Sequence, residues 1–268
     1  MAVMDSLWLP RSTCGLDCLP QERSGSVPRA TMLKRIVVTG TVLLLAGLAL
    51  PVLALLPRRH LIRFQRGLAR SILGGLGIKH SASGRIPQSS ALLVANHVSW
   101  LDVIVILAHA PASILGKREV RSWPLIGRLA ATLGTVFVDR SRPKSLPATI
   151  GEVRRHLAAG GVIAVFPEGT TWCGRMGGTF RPAMFQAAVD AGVPVVPVRL
   201  TFAQAGNVST VAAFIGDESL LVSLKRVVAA RDLSIGLRAY PKLHPEPGQK
   251  HTHSRRILAR AATALVAA

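Results

Sequence analysis

The chain has 268 residues, of which 49% are hydrophobic, a composition that suits one domain with a substantial core and indicates contact with a membrane. Its 33 lysines and arginines against 13 acidic residues give a net charge of +20, which indicates anionic partners such as a lipid surface or phosphorylated substrates. Only 4% of the residues are aromatic, too few to supply a base-stacking surface, so nucleic acid is not an expected partner.

The N-terminal residues 1–31 are rich in Ser, Pro, Gly and charge and show no apolar period, which predicts a disordered leader. Cys14 and Cys18 fall in this leader. Together with Cys173 they form neither a paired disulfide framework nor a metal-ligand spacing. We therefore expect a reducing compartment, no metal and no cofactor.

Residues 32–80 are predicted to form a membrane-associating helical segment. The uncharged stretch 36–56 has 21 residues, close to the ~20 that a helix needs to cross a bilayer, although Pro51 also permits a shallow or re-entrant insertion. Basic residues on both sides leave its orientation open. Residues 61–78 follow with helical apolar spacing and three arginines. That pattern is typical both of a helix at an anionic membrane surface and of a helix packed on the domain.

Residues 81–268 are predicted to form an α/β domain with a mostly parallel sheet flanked by helices, because strand and helix patterns alternate along them. The clearest helical patterns cover 146–159, about 181–190 and the basic stretch 251–268. Pro194 and Pro197 predict that the strand containing them is short or lies at a sheet edge. The strand patterns are 91–95, 113–115, 134–138, 162–166, 194–200 and 233–239.

A histidine and a carboxylate follow the first of these strands, where α/β sheets tend to carry reactive groups. His97 precedes Asp102 by five positions, and residues five apart on a regular helix do not share a face. Their pairing therefore requires a turn, with Asp102 just inside the following helix and Asn96 and Ser99 holding the turn. A neutral imidazole can remove a hydroxyl proton while a carboxylate on its far nitrogen fixes the tautomer.

Four blocks in order resemble the glycerolipid acyltransferase family across about residues 85–202. They are N-H-x-S-x-x-D at 96–102, a block of Gly134, Phe137 and Arg140, F-P-E-G-T at 166–170, and V-P-V-V-P-V at 193–198. The resemblance implies a membrane-bound O-acyltransferase. Its substrates would be a lysolipid acceptor and an acyl-CoA or acyl-carrier protein donor.

The resemblance also implies roles for individual residues. His97 would be the general base, oriented by Asp102, and the acceptor hydroxyl would attack the thioester directly rather than through an acyl-enzyme on Ser99. Arg140 would bind a phosphate through its guanidinium, and Lys117 would lie near the donor. Glu168 would orient an arginine or the acceptor hydroxyl. The residues implied in acceptor binding are Arg140, Glu168, Gly169 and Thr170.

Thr171 departs from the pattern, because many members that use a phosphate acceptor have arginine after F-P-E-G-T. Members with F-P-E-G-T-T acylate other lysolipids, including lyso-ornithine lipid. The expected reaction is still 1-acyl-glycerol-3-phosphate to phosphatidic acid, and Thr171 makes lyso-ornithine lipid or another lysophospholipid the alternative acceptor. We expect the protein to reside at the inner membrane of the cell, with its catalytic domain on the cytoplasmic face.

Two alternatives come from other classes. One is a catalytically inactive, basic membrane-surface binding protein, against which the intact His97 and Asp102 count. The other is a secreted hydrolase whose first 56 residues are a signal, against which the length of the apolar stretch counts.

Overall fold

A computed structural model describes residues 10, 12–20, 25–139, 142–216, 218–245 and 251–267. The helices in these residues are α1 Arg29–Leu48, α2 Leu50–Leu53, α3 Arg58–Gly75, α4 Leu101–His109, α5 Pro124–Thr132, α6 Leu146–Ala158, α7 Phe185–Ala191, α8 Leu220–Ala229 and α9 His251–Ala267. The strands are β1 Lys79–Ser83, β2 Ala91–Ala95, β3 Ala112–Lys117, β4 Val136–Val138, β5 Val162–Val165, β6 Val195–Gln204, β7 Asn207–Val208 and β8 Leu233–Ala239.

The described strands form one sheet in the order β1-β8-β6-β2-β5-β3-β4, with β7 paired to the end of β6. Only β6–β8 and β6–β7 are antiparallel, and the other pairs are parallel. The predicted α/β fold with a mostly parallel sheet is therefore confirmed. β1 was not predicted, and it starts two residues before the expected domain boundary at 81.

Helices cover both faces of the sheet, as the alternation of side chains in β2 shows. Leu93 enters a cluster that includes Leu73 from α3 and Leu101 from α4. Its neighbour Leu92 enters the opposite cluster, which includes side chains from α6, α7 and α9. All five residues of β2 are buried, which explains why this strand is a continuous apolar run.

The stretch 36–56 is not one continuous helix. α1 ends at Leu48 and is followed by the short α2, which contains Pro51. Among the described residues, α1 is the one helix long and apolar enough to cross a membrane. It has 20 residues, and an 18-residue stretch of it has a mean hydropathy of 1.6 and is 11% buried.

α1 contacts the domain near both of its ends. The guanidinium of Arg35 donates to the carbonyls of Val228 at 2.8 Å and Ala230 at 2.7 Å. Toward the other end, a Cβ added to Gly47 would lie 2.5 Å from Leu125 Cδ1, so the helix approaches α5 closely there. α1 therefore lies along the domain.

α3 packs its apolar face on the domain, which is one of the two possibilities that its pattern left open. Ala69 and Leu73 are buried in the core, and Gln65 Nε2 donates to the carbonyl of Ala112 at 2.8 Å. Arg70 Nε donates to the carbonyl of Ala108, at the end of α4. The exposed arginines Arg58 and Arg59 begin the helix.

Residues 12–20 depart from the predicted disordered leader. Leu16–Cys18 form a 3₁₀ turn, and Cys14 is only 6% exposed within the core cluster of α3 and α4. A segment docked by one buried side chain has no period of 2 or 3.6 residues, so its pattern could not indicate the contact. The rest of the predicted leader up to α1 is described only at residues 10 and 25–28.

β6 lies between β2 and β8, so the prediction of a short or edge strand is wrong. The carbonyl of Pro197 accepts from Tyr240 N at 2.9 Å, one position beyond the last ladder pair, Val198 with Ala239. The side of Pro197 that lacks an N–H therefore faces the end of β8. A proline is tolerated in this central strand because no donor is removed from within the ladder.

Candidate active site

The carboxyl ends of β2 and β5 lie side by side, because Val94 pairs with Val165 in parallel register. The loops that follow these strands therefore leave from the same edge of the sheet. Asn96 begins the first loop and is bound to β6: its Nδ2 donates to the carbonyl of Leu200 at 3.0 Å, and Leu200 N donates back to its Oδ1 at 2.7 Å. The first loop is thereby attached to β6.

His97 and Asp102 pair as the sequence predicted, across a turn between β2 and α4. His97 Nδ1 lies 2.8 Å from Asp102 Oδ2, and Asp102 lies in the first turn of α4. The same oxygen accepts from the backbone N–H groups of Val98 at 2.6 Å and Ser99 at 2.8 Å. These donors and the positive end of α4 stabilise a carboxylate that is fully buried.

The second ring nitrogen of His97, Nε2, has no partner among the described residues, and the side chain is 19% exposed. The ring stacks on Phe166, with centroids 4.1 Å apart and an interplanar angle of 18°. Phe166 therefore supports one face of the imidazole while Asp102 holds its edge. Nε2 is the atom left open to solvent or a substrate.

Ser99 is fully buried, and its Oγ accepts a long hydrogen bond of 3.4 Å from Leu101 N. A hydroxyl in this position serves the turn before α4. It is not placed to meet a substrate at the open side of His97.

Glu168 binds backbone groups of two loops instead of an arginine. Its Oε2 accepts from His97 N at 2.6 Å, and its Oε1 accepts from Gly178 N at 2.9 Å. Burial raises the pKa of this carboxyl to about 7, the two N–H bonds oppose that rise, and the nearby Asp102 adds to it. Glu168 therefore has a structural role, because it holds the two loops together.

The residues after Glu168 hold the second loop, which follows β5, against the first. Gly169 has a φ of +75°, which favours glycine, and a Cβ there would lie 2.5 Å from Pro10 Cγ. The Thr171 hydroxyl donates to the carbonyl of Phe214, and Trp172 N donates to the carbonyl of His97 at 2.8 Å. Thr170, which precedes Thr171, is half-exposed.

Arg140 lies outside the described residues. The preceding strand, β4, ends at Val138 on the same edge of the sheet as His97, three strand spacings from β2, which is roughly 14 Å. Lys117 is the last residue of β3 and is exposed. The structure thus brings together five of the predicted site residues: His97, Asp102, Glu168, Gly169 and Thr170.

Several groups that build the site were not singled out from the sequence. Leu200, Gly178 and Phe214 contribute only backbone N–H or carbonyl groups. Every residue has a backbone, so the residue type does not indicate these contacts. Phe166 belongs to a recognised block, but its stacking on His97 depends on the pairing of β2 with β5.

Comparisons with known proteins agree with the blocks. The family described as Acyltransferase matches residues 77–201. The lyso-ornithine lipid O-acyltransferase of Pseudomonas aeruginosa is 36% identical over 187 residues, which cover 70% of this chain and 71% of that protein. The 1-acyl-sn-glycerol-3-phosphate acyltransferase of Neisseria meningitidis is 33% identical over 170 residues, which cover 63% and 67%.

A solved structure shares the fold. The 1-acyl-sn-glycerophosphate acyltransferase PlsC of Thermotoga maritima aligns with a TM-score of 0.64 at 20% sequence identity. The alignment covers 89% of this chain and 96% of that one.

The raised pKa of Glu168 predicts an unusual dependence of stability on pH. Between its ordinary value of 4.5 and about 7, the folded chain binds this proton more tightly than the unfolded chain, so the free energy of unfolding falls as pH rises. Glu168→Gln cannot titrate. We expect its free energy of unfolding, relative to wild type, to rise by about 3 kcal/mol across this interval.

Chemical unfolding of both proteins in detergent, at several pH values through this interval, measures the difference. Glu119→Gln, at an exposed carboxylate, is the matched control and should show a constant offset. A constant offset for Glu168→Gln as well would contradict the raised pKa.

Proposed function

The chain belongs to the acyltransferase family that includes 1-acyl-sn-glycerol-3-phosphate and lyso-ornithine lipid acyltransferases, and we propose that it moves a fatty acyl chain from acyl-CoA or acyl-carrier protein to a lysolipid hydroxyl. The observation that carries this proposal is the His97–Asp102 pair, with Nδ1 bound to the carboxylate and Nε2 open. The proposed acceptor is 1-acyl-glycerol-3-phosphate, and the product is phosphatidic acid.

In the proposed reaction, His97 Nε2 accepts the proton of the acceptor hydroxyl as its oxygen attacks the thioester carbonyl carbon. The hydroxyl pKa lies far above 7, so attack without a base would be slow. The carbon–sulfur bond then breaks, and the imidazolium returns its proton to the departing thiolate. Asp102 keeps the proton of neutral His97 on Nδ1 and stabilises the imidazolium between the two steps.

The buried position of Ser99 supports direct transfer over an acyl-enzyme on that residue. A thioester is already activated, so a second nucleophile adds nothing to the chemistry. The stack on Phe166 and the bond from His97 N to Glu168 hold the base in one orientation, which favours reaction of a positioned hydroxyl. In this proposal Glu168 is a positioning residue.

The acceptor is proposed to lie along the open edge of the sheet, from His97 toward the end of β4. Gly169 and Thr170 lie beside His97, and Arg140 follows β4 in the sequence. A phosphate bound by Arg140 would leave the acceptor hydroxyl nearer to His97. Arg175 and Arg181, both exposed on the loop after β5, add positive charge to this edge.

Lyso-ornithine lipid is the second candidate acceptor, and Thr171 is the observation that favours it. Its hydroxyl is bound to the carbonyl of Phe214, so this position serves the loop and supplies no cation. The Pseudomonas aeruginosa relative is 36% identical to this chain. An acceptor without a phosphate needs fewer cations at this point.

We propose further that α1 and α2 lie in the cytoplasmic leaflet of the inner membrane. α1 contacts the domain near both ends, which favours a helix in the membrane plane over one that crosses the bilayer. The exposed arginines that begin α3 would face anionic headgroups. The exposed apolar side chains of α1 and α2 are Leu33, Ile36, Val37, Val38, Leu44, Leu45, Leu48 and Val52.

His97→Ala should lower the rate of acyl transfer by about 100-fold or more, because a general base commonly contributes 10²–10⁴. Asp102→Asn should also lower the rate, since an amide cannot hold the same tautomer. Transfer of labelled acyl chains by membranes containing each variant measures the effect. His253→Ala, at an exposed histidine of α9, is the control and should keep the wild-type rate. Near wild-type turnover in His97→Ala would remove the proposed mechanism.

Acceptor choice is decided by a panel of lysolipids offered to the same membranes, with products identified by mass. We expect 1-acyl-glycerol-3-phosphate to be acylated and Arg140→Ala to raise its KM without an equal change in the donor KM. Arg142→Ala, at an exposed neighbour, should leave both values unchanged. Acylation of lyso-ornithine lipid alone would establish the second candidate.

Membrane attachment should resist high salt and yield to detergent, because burial of apolar side chains is not screened by ions. Replacing Leu44, Leu45 and Leu48 together by glutamine should shift the protein toward the soluble fraction. Val208→Gln, at an exposed apolar residue of β7, should not. Release of the wild-type protein by salt alone would show that only charge holds it at the membrane.

A further inference from the structure

The three cysteines of the chain meet in the structure. The sulfur atoms of Cys14, Cys18 and Cys173 all lie within 4.8 Å of one another. Cys14 and Cys173 are buried, and Cys18 is half-buried. Two thiols come from the N-terminal segment 12–20 and the third from the loop after β5, so no spacing along the sequence indicates the cluster.

A backbone N–H group points at one of these sulfurs. Cys173 N donates to Cys14 Sγ at 3.3 Å. Gly174, with a φ of +86°, forms the turn that follows Cys173. An N–H donor of this kind stabilises a thiolate, whereas a cysteine that only fills the core does not require it.

We propose that Cys14, Cys18 and Cys173 form a binding site for a thiophilic cation of the Zn²⁺ class. Zn–S bonds of about 2.3 Å place two sulfurs roughly 3.8 Å apart in tetrahedral geometry. The observed cluster therefore needs to contract by only about 1 Å. Soft thiolate ligands select Zn²⁺ and Cu(I) over hard cations such as Mg²⁺.

Binding converts three thiols into three thiolates and releases up to three protons to solvent for each Zn²⁺. The resulting unit carries one negative charge, which suits a chain with a net charge of +20. Cys18 is the half-buried member of the cluster, so the cation enters from its side and a water molecule completes the coordination.

A disulfide is a poorer account of the same cluster. It would join two of the sulfurs and leave the third, although all three are mutually close. A disulfide also carries no negative charge at Cys14 Sγ for the N–H group of Cys173 to stabilise.

The site joins the N-terminal segment to the loop that contacts the proposed base. Cys173 follows Trp172, whose N–H donates to the carbonyl of His97, and Pro10 lies against Gly169. A bound cation would therefore hold residues 12–20 in place beside the candidate active site. This role does not depend on which lysolipid is acylated.

The test titrates reduced, full-length protein in detergent with Zn²⁺ against a chromophoric chelator. One equivalent should bind, with proton release, and Cd²⁺ in its place should give a thiolate-to-metal charge-transfer band in the ultraviolet. Cys14→Ser, Cys18→Ser and Cys173→Ser should each weaken binding by at least about tenfold. His253→Ala, which removes an exposed histidine outside the cluster, should bind Zn²⁺ as wild type does.

Alkylation of the wild-type thiols gives a second measurement that does not depend on the folding of any variant. Zn²⁺ should protect all three cysteines from alkylation, as peptide mass mapping would show. Absence of stoichiometric Zn²⁺, affinity that ignores the cysteine substitutions, unprotected thiols, or a disulfide in the freshly isolated protein would each overturn the proposal. All of these readouts measure metal or thiols, so they are independent of acyl transfer.

Discussion

The parallel pairing of β2 with β5 is the constraint on which the candidate site depends. It places two loops, separated by about 70 residues in sequence, at one edge of the sheet. The carboxylate of Glu168 then joins them, since its two oxygens bind His97 N and Gly178 N. Phe166 reaches the His97 ring for the same reason. If the two strands were not neighbours, neither contact could form.

A buried charge is the electrostatic feature of this arrangement. Asp102 is fully buried, and an isolated carboxylate in that position would be strongly unfavourable. One of its oxygens accepts hydrogen bonds from two backbone N–H groups and contacts the His97 ring nitrogen Nδ1. The dipole of the first turn of α4 stabilises the same charge. The groups that make the charge tolerable are the ones that hold the imidazole in place. Stability and the proposed chemistry thus draw on the same hydrogen bonds.

A chain of packed helices connects the apolar N-terminal region to this charge. α1 lies along α3, and α3 buries Leu73 against the cluster that contains Leu101 of α4. α4 in turn carries Asp102 in its first turn. A protein held at a lipid surface by α1 and α2 would therefore present its site at a fixed distance from the acyl chains of its substrates. The segment 12–20 packs on the same cluster through Cys14, so the residues before α1 also contribute to it.

Much of this protein is determined by the sequence itself. The apolar runs place the central strands, and the spacing of His97 and Asp102 requires the turn that pairs them, because both signals come from residues close together in the chain. The order of the strands is a long-range property, and it alone decided that β6 is central and that Phe166 stacks on His97. No local sequence pattern indicates which backbone groups bind the side chains of the site. The contact between Cys14 and Cys173 has no such pattern either. Local periodicity records which way a side chain points, whereas only the folded chain determines what it meets.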